Sequence, residues 1–137
     1  MPVRLVDAMA QAIYVFEGNG PKSRAYRNNN PGNLRLPPVT GRPVDDDGYS
    51  IFPSFVDGYN ALVADITSKI TGNNSYGLNA DSSLDDFFSV YAPERDSNDP
   101  YRYADFVATR LSYTYNRDFG PKDTFRTIMS IIGQSVT

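Results

Sequence analysis

The sequence contains no cysteine, no histidine and no tryptophan. The first two absences exclude thiol nucleophiles, Ser-His-Asp and Cys-His relays, disulfide staples, and the zinc sites built on Cys or His. Glutamate is scarce as well. Of 16 acidic residues only Glu17 and Glu94 are Glu, and the others are Asp. Apolar runs long enough to span a membrane (~18 residues or more) are also missing, so no membrane span is expected. The N-terminal stretch is amphipathic and has no small-residue cleavage site, so it does not read as a signal peptide. The formal net charge is -3, which leaves no basic excess for phosphates, and no nucleic-acid partner is expected. Acid–base chemistry therefore rests on carboxylates, Lys or Tyr. No metal and no cofactor is expected.

The 137 residues suit a single domain, 1–137, large enough to bury a real core. With 40% apolar and 21% charged residues, the chain is not of disordered composition. Its charge is uneven. Gly18 to Val44 holds Lys22, Arg24, Arg27, Arg35 and Arg42 and no acid. Asp81 to Asp99 holds six acids against Arg95 alone. The cationic stretch either steers an anionic partner or is a solvated loop balanced by the acidic one.

Apolar spacing predicts five helices. Val3 to Phe16 places Leu5, Met9, Ala12, Ile13 and Phe16 on one face, with Glu17 closing the helix before Gly18-Asn19-Gly20-Pro21. Ser54 starts a second, in a Ser54–Asp57 capping pattern, with Phe55, Tyr59, Leu62, Val63, Ile66 and Ile70 inward and Gly72 as its stop. Ser83 caps a third that Pro93 ends, and Asp99-Pro100 opens a fourth through Tyr103, Phe106, Val107 and Leu111. Asp123 is expected to cap a fifth, which Gly133 stops. Residues 22–53 read as extended pieces and turns. There Asn33–Leu36 and Tyr49–Phe52 are expected to pair as an antiparallel hairpin across Pro37–Gly48. The expected class is mainly α with a β element (α+β), the small sheet lying between helix one and helix two.

Glu17 is the leading acid. The negative end of the helix dipole and nearby aromatics both disfavour its ionised form, the condition a general acid needs. An exposed helix-terminal Glu without a role is the competing reading. Glu94, in a charged loop without an apolar shield, reads as a solvated surface residue. Asn28-Asn29-Asn30-Pro31-Gly32-Asn33-Leu34 is rich in amides that suit sugar hydroxyls and N-acetyl groups, and equally in residues that form plain Asx turns.

The ordered blocks are Ala12-x4-Glu17-Gly18, Asn29 to Arg35, Gly48 to Phe52, Phe55-x2-Gly58-x2-Ala61-Leu62, and Tyr91 to Pro100 leading into Tyr103-Ala104. Together they resemble small bacterial and phage proteins related to soluble lytic transglycosylases and goose-type lysozymes, in the lysozyme-like superfamily. The resemblance spans roughly residues 8–133. It implies an α-helical lobe, a small sheet lobe and a glycan cleft between them. It implies Glu17 as catalytic acid. It places Asn29, Asn30 and Asn33 at the sheet's start beside the cleft as substrate-binding residues, and Tyr91 under or along the site. The implied substrate is the peptidoglycan glycan strand, cut between N-acetylmuramic acid and N-acetylglucosamine.

A hydrolase needs a second carboxylate, ~5–9.5 Å from the acid depending on stereochemistry. The candidates are Asp45, Asp46 and Asp47, with Asp47 singled out, although Asp runs beside Gly are common in solvated turns. Lytic transglycosylases use one Glu as acid and then base, and the doubtful partner favours that chemistry. Such a domain would act in the periplasm or cell wall, delivered by a phage particle or secretion apparatus. The alternative is a non-catalytic glycan-binding or virion structural module on the same fold.

Overall fold

The computed structural model describes residues 3–37, 41–93 and 98–136. Among them are six helices: α1 (Leu5–Glu17), α2 (Arg24–Arg27), α3 (Phe55–Ile70), α4 (Leu84–Tyr91), α5 (Pro100–Tyr115) and α6 (Phe125–Ile132). Helix α1 packs against both α3 and α5, and α5 also packs on α4. Leu5, Met9 and Ile13 of α1 are fully buried with Leu62, Ile66 and Ile70 of α3, Phe87 and Phe88 of α4, and Leu111 of α5. These are the helical-period positions, so hydrophobic burial selects the bundle directly from the pattern. Phe55 departs from it. It sits at the first position of α3, beyond the reach of the core, and remains 47% exposed.

Local chemistry sets the helix ends. Ser54, Ser83, Asp99 and Thr124 each accept a hydrogen bond from the third backbone N–H of the helix that follows. Thr124, not Asp123, caps α6, and Asp123 instead accepts from the Gly120 N–H at 2.8 Å. The starts of α4 and α6 lie side by side and satisfy each other. The Leu84 N–H donates to the Asp123 carbonyl and the Phe125 N–H to the Ser82 carbonyl, both at 3.1 Å. Helix N-termini leave orphan donors, and here neighbouring loops absorb them.

The α+β expectation is overturned. No strand or sheet forms among the described residues, and the span between α1 and α3 holds only an isolated bridge between Val44 and Ser50. One backbone bond does join the two segments, from the Ser50 N–H to the Leu34 carbonyl at 3.0 Å, but side chains take others that a ladder would need. Asn30, fully buried, donates to the carbonyls of Leu34 (3.0 Å) and Ser50 (2.9 Å) and accepts from the Leu34 N–H (2.9 Å). The Leu36 N–H goes to the Ser50 hydroxyl instead of to a backbone carbonyl. Asn33 at φ 50° and the N–H-less Pro37 and Pro43 prevent a continuous register. The reading of residues 22–53 as extended also missed α2, one turn capped by Ser23.

Asn30→Ala is expected to destabilise the chain by about 3 kcal/mol, because buried backbone groups lose their partners at ~1–3 kcal/mol each. Chemical denaturation measures this, and a loss under about 1 kcal/mol would mean that the segment does not depend on Asn30.

Candidate active site at the end of the first helix

Glu17 is the last residue of α1, and Gly18 breaks the helix in the left-handed region at φ 69°. Asn19 fastens that end, its amide donating to the Tyr14 carbonyl (2.9 Å) and the Pro31 carbonyl (3.2 Å). The α1 terminus and the Asn-rich loop are thereby held together, and Glu17 faces the loop half-buried.

Both carboxylate oxygens are held by neutral donors. The Asn33 amide donates to Oε1 at 2.8 Å, and the Tyr103 hydroxyl donates to Oε2 at 2.6 Å. Tyr103 is locked between two rings, with Phe16 stacked at 3.8 Å and Phe88 at 4.4 Å between centroids. The left-handed backbone of Asn33 aims its side chain at the acid, and its own Oδ1 is buried without a partner. No cation pairs with Glu17 among the described residues.

Burial raises the Glu17 pKa, the bonds from Tyr103 and Asn33 pull it down, and the net direction is up. Tyr103 and Tyr91 are both pushed well above the ordinary tyrosine value. Burial is the main cause, and negative charge nearby, Glu17 included, adds to it. Both therefore stay neutral phenols able to donate.

Glu17 opens on a cleft of about 420 Å³, within the ordinary range for ligand sites. Residues 32–37 and Tyr49 form part of the wall. Asp65, Ser68 and Lys69 of α3 with residues 73–76 form another, and Val90 to Pro93 and Asn98 complete it. Tyr91 donates to the Gly32 carbonyl at 2.5 Å. A Cβ on residue 32 would lie 2.5 Å from that hydroxyl and 2.7 Å from Leu62 Cδ1, so a larger residue there must displace the Tyr91 or Leu62 side chain.

Of the residues named from sequence, the structure brings Asn33 and Tyr91 to the Glu17 cleft. Asn30 is spent on the loop backbone. Asn29 donates to the Phe52 carbonyl and borders a separate groove with Tyr14, Tyr26 and Phe55. Asp47 is exposed, paired with Arg24 at 2.6 Å, and does not line the cleft. Glu94 lies outside the described residues. Arg24 pairs with Asp45 and Asp47, while Asp81 and Asp85 pair with Arg126 and Lys122.

Sequence reasoning placed Tyr103 on the apolar face of its helix, without a role beside Glu17, and did not single out Asp65 or Lys69. The signals were present. A buried Tyr needs an acceptor where a Phe does not, and Lys69 falls on the same helical face as Leu62 and Ile66. No family model, no curated protein and no solved structure matches the chain.

Proposed function

We propose that this chain is a peptidoglycan-cleaving glycosidase, a lytic transglycosylase rather than a hydrolase, with Glu17 as its single acid–base. One observation carries this reading: a half-buried carboxylic acid with a raised pKa opens on a ligand-sized cleft, held by two neutral donors and, among the described residues, by no cation. A carboxylate has about four lone-pair sites, so the two bonds leave room for a proton and a substrate oxygen. Burial favours the protonated form of Glu17, the form that starts the reaction. It then gives its proton to the glycosidic oxygen as the bond to the muramic acid C1 breaks. The bonds from Tyr103 and Asn33 stabilise the carboxylate that results. That carboxylate next takes the proton of the muramic acid 6-hydroxyl, whose oxygen closes on C1 to give an anhydro sugar. Glu17 ends protonated again.

The described cleft favours one carboxylate over two. Among the described residues Asp65 is the only other acid on its walls, and Lys69 holds it in an ion pair at 2.8 Å. The order of motifs resembling lytic transglycosylases supports the same substrate class. We place its action in the bacterial periplasm or cell wall, after delivery by a phage particle or secretion assembly. No helix among the described residues is long and apolar enough to cross a membrane.

Incubation with purified sacculi followed by muropeptide analysis tests this. Anhydro-muropeptides are expected. Reducing ends would point to hydrolysis, and glycan binding without release would point to a non-catalytic module. Asp47→Asn is expected to leave the rate within about twofold, since Asp47 is a solvated partner of Arg24. A loss comparable to that at Glu17 would restore it as a second carboxylate.

Tyr103→Phe removes a bond that lowers the Glu17 pKa. That pKa should then rise further. Because the protonated acid is the active form, the basic limb of the pH profile of kcat/KM should move to higher pH. A shift to lower pH would contradict the role given to the Tyr103 hydroxyl.

A further inference from the structure

The α3 part of the cleft wall carries a charged pair that the reaction above does not use. Lys69 is only 7% exposed, on the helical face that also buries Leu62, Ile66 and Ile70. Its ammonium donates to Asp65 Oδ2 at 2.8 Å. The rings of Tyr91, Phe87 and Tyr76 surround it at 5.2, 5.5 and 5.6 Å. Burying such a pair is costly, and apolar residues of similar volume commonly serve stability as well or better. Packing alone therefore does not account for a lysine here.

Its position accounts for more. Lys69 and Asp65 both line the cleft. An ammonium has three N–H donors, and Asp65 is its one hydrogen-bond acceptor among the described residues. Asp65 fixes the head group and leaves donors for a ligand in the cleft. The neighbouring loop is also preset. Asn74 donates to the carbonyls of Ser68 and Leu78 and accepts from the N–H groups of Tyr76 and Leu78, which holds the loop that brings the exposed Tyr76 ring to 5.6 Å from the ammonium. Tyr91 joins the two halves of the cleft. Its hydroxyl binds Gly32, next to the Asn33 that holds Glu17, and its ring faces Lys69. The ammonium and the acid thus line one cleft, with Tyr91 touching both the lysine and the loop that holds the acid.

We propose that Lys69 anchors a carboxylate of the muramic acid branch, from either the lactyl group of a bare strand or the stem peptide it carries. This inference rests on the glycosidase reading and adds the feature that separates such strands from neutral N-acetylglucosamine polymers. The test uses the Glu17→Gln protein, so that ligands are bound and not cut. Calorimetry would compare neutral N-acetylglucosamine oligomers, bare strands containing N-acetylmuramic acid, and strands bearing stem peptides. Lys69→Met is expected to weaken the carboxylate-bearing ligands by roughly tenfold, the scale of a hydrogen bond to a charged group, and the neutral oligomer by less than about twofold. A loss confined to bare strands identifies the lactyl carboxylate, one confined to stem-bearing strands identifies the peptide, and a loss in both fits a shared anchor. If Lys69→Met does not fold, Asp65→Asn combined with Lys69→Met supplies a neutral pair of similar shape for the same comparison. Unchanged affinities, or equal weakening of all three ligands, would overturn the anchor and leave the glycosidase reading standing. Absence of binding in the Glu17→Gln protein, with no cleavage by the wild type, would instead remove the reading beneath it.

Discussion

Glu17→Gln is expected to lower muropeptide release by ~10²–10⁴-fold, the usual contribution of a positioned acid–base group. It should do so without loss of fold, because a glutamine amide can keep bonds to both Tyr103 and Asn33. The change should in fact stabilise the protein at neutral pH. The folded-state pKa of Glu17 lies above its ordinary value, so the folded chain binds this proton more tightly than the unfolded chain. That stabilisation is complete below the unfolded carboxyl pKa and is lost as pH rises through the folded one. Above that window the wild type holds a half-buried charge that the variant does not. Thermal melts should show a higher Tm for Glu17→Gln at pH 7 and a shrinking difference toward pH 4. A variant equally active, or less stable at pH 7, would contradict both the catalytic assignment and the account of its pKa.

The second large effect is steric. Gly58 lies in α3, where alanine is ordinarily better than glycine by ~1 kcal/mol. Here the sign should reverse. A Cβ at this position would sit 1.7 Å from the Asn29 carbonyl oxygen and 3.0 Å from Pro31 Cδ. Neither is the far end of a flexible side chain, so helix and loop must separate. Gly58→Ala is expected to cost about 3 kcal/mol, the upper end of ordinary overpacking, and to lower Tm by roughly 10 °C. It should also reduce activity in the folded protein, because the displaced loop leads directly into Gly32 and Asn33. Denaturation and assay at low temperature separate the two effects. A neutral or stabilising outcome would mean that α3 does not press on this loop.

This contact shows what the sequence could and could not disclose. Gly58 belongs to the Phe55–Leu62 block whose resemblance was noted, but its physical reason appears only once the loop is seen against the helix. The five longer helices were legible because their apolar positions recur at the helical period and Ser, Asp or Gly residues mark their ends. The expected hairpin was misread because alternation and turn residues cannot reveal that a single backbone bond joins its segments, while Asn30 and the Ser50 hydroxyl take the Leu34 and Leu36 N–H groups. Glu17 was legible from its place at the end of an amphipathic helix. Its partner Tyr103 lies 86 residues away, and no local pattern announces such a pairing. The Asn-rich run is split three ways that no local pattern separates, since Asn33 meets the acid while Asn30 builds the loop and Asn29 faces another groove.

The central claim is that one half-buried glutamate serves as acid and then as base, with no water entering the bond. The most direct test is to digest sacculi with the wild-type protein in ¹⁸O-labelled water and weigh the products. Anhydro-muropeptides free of ¹⁸O are predicted, and Glu17→Gln should release none above background. Reducing muropeptides carrying ¹⁸O at the new end would contradict it.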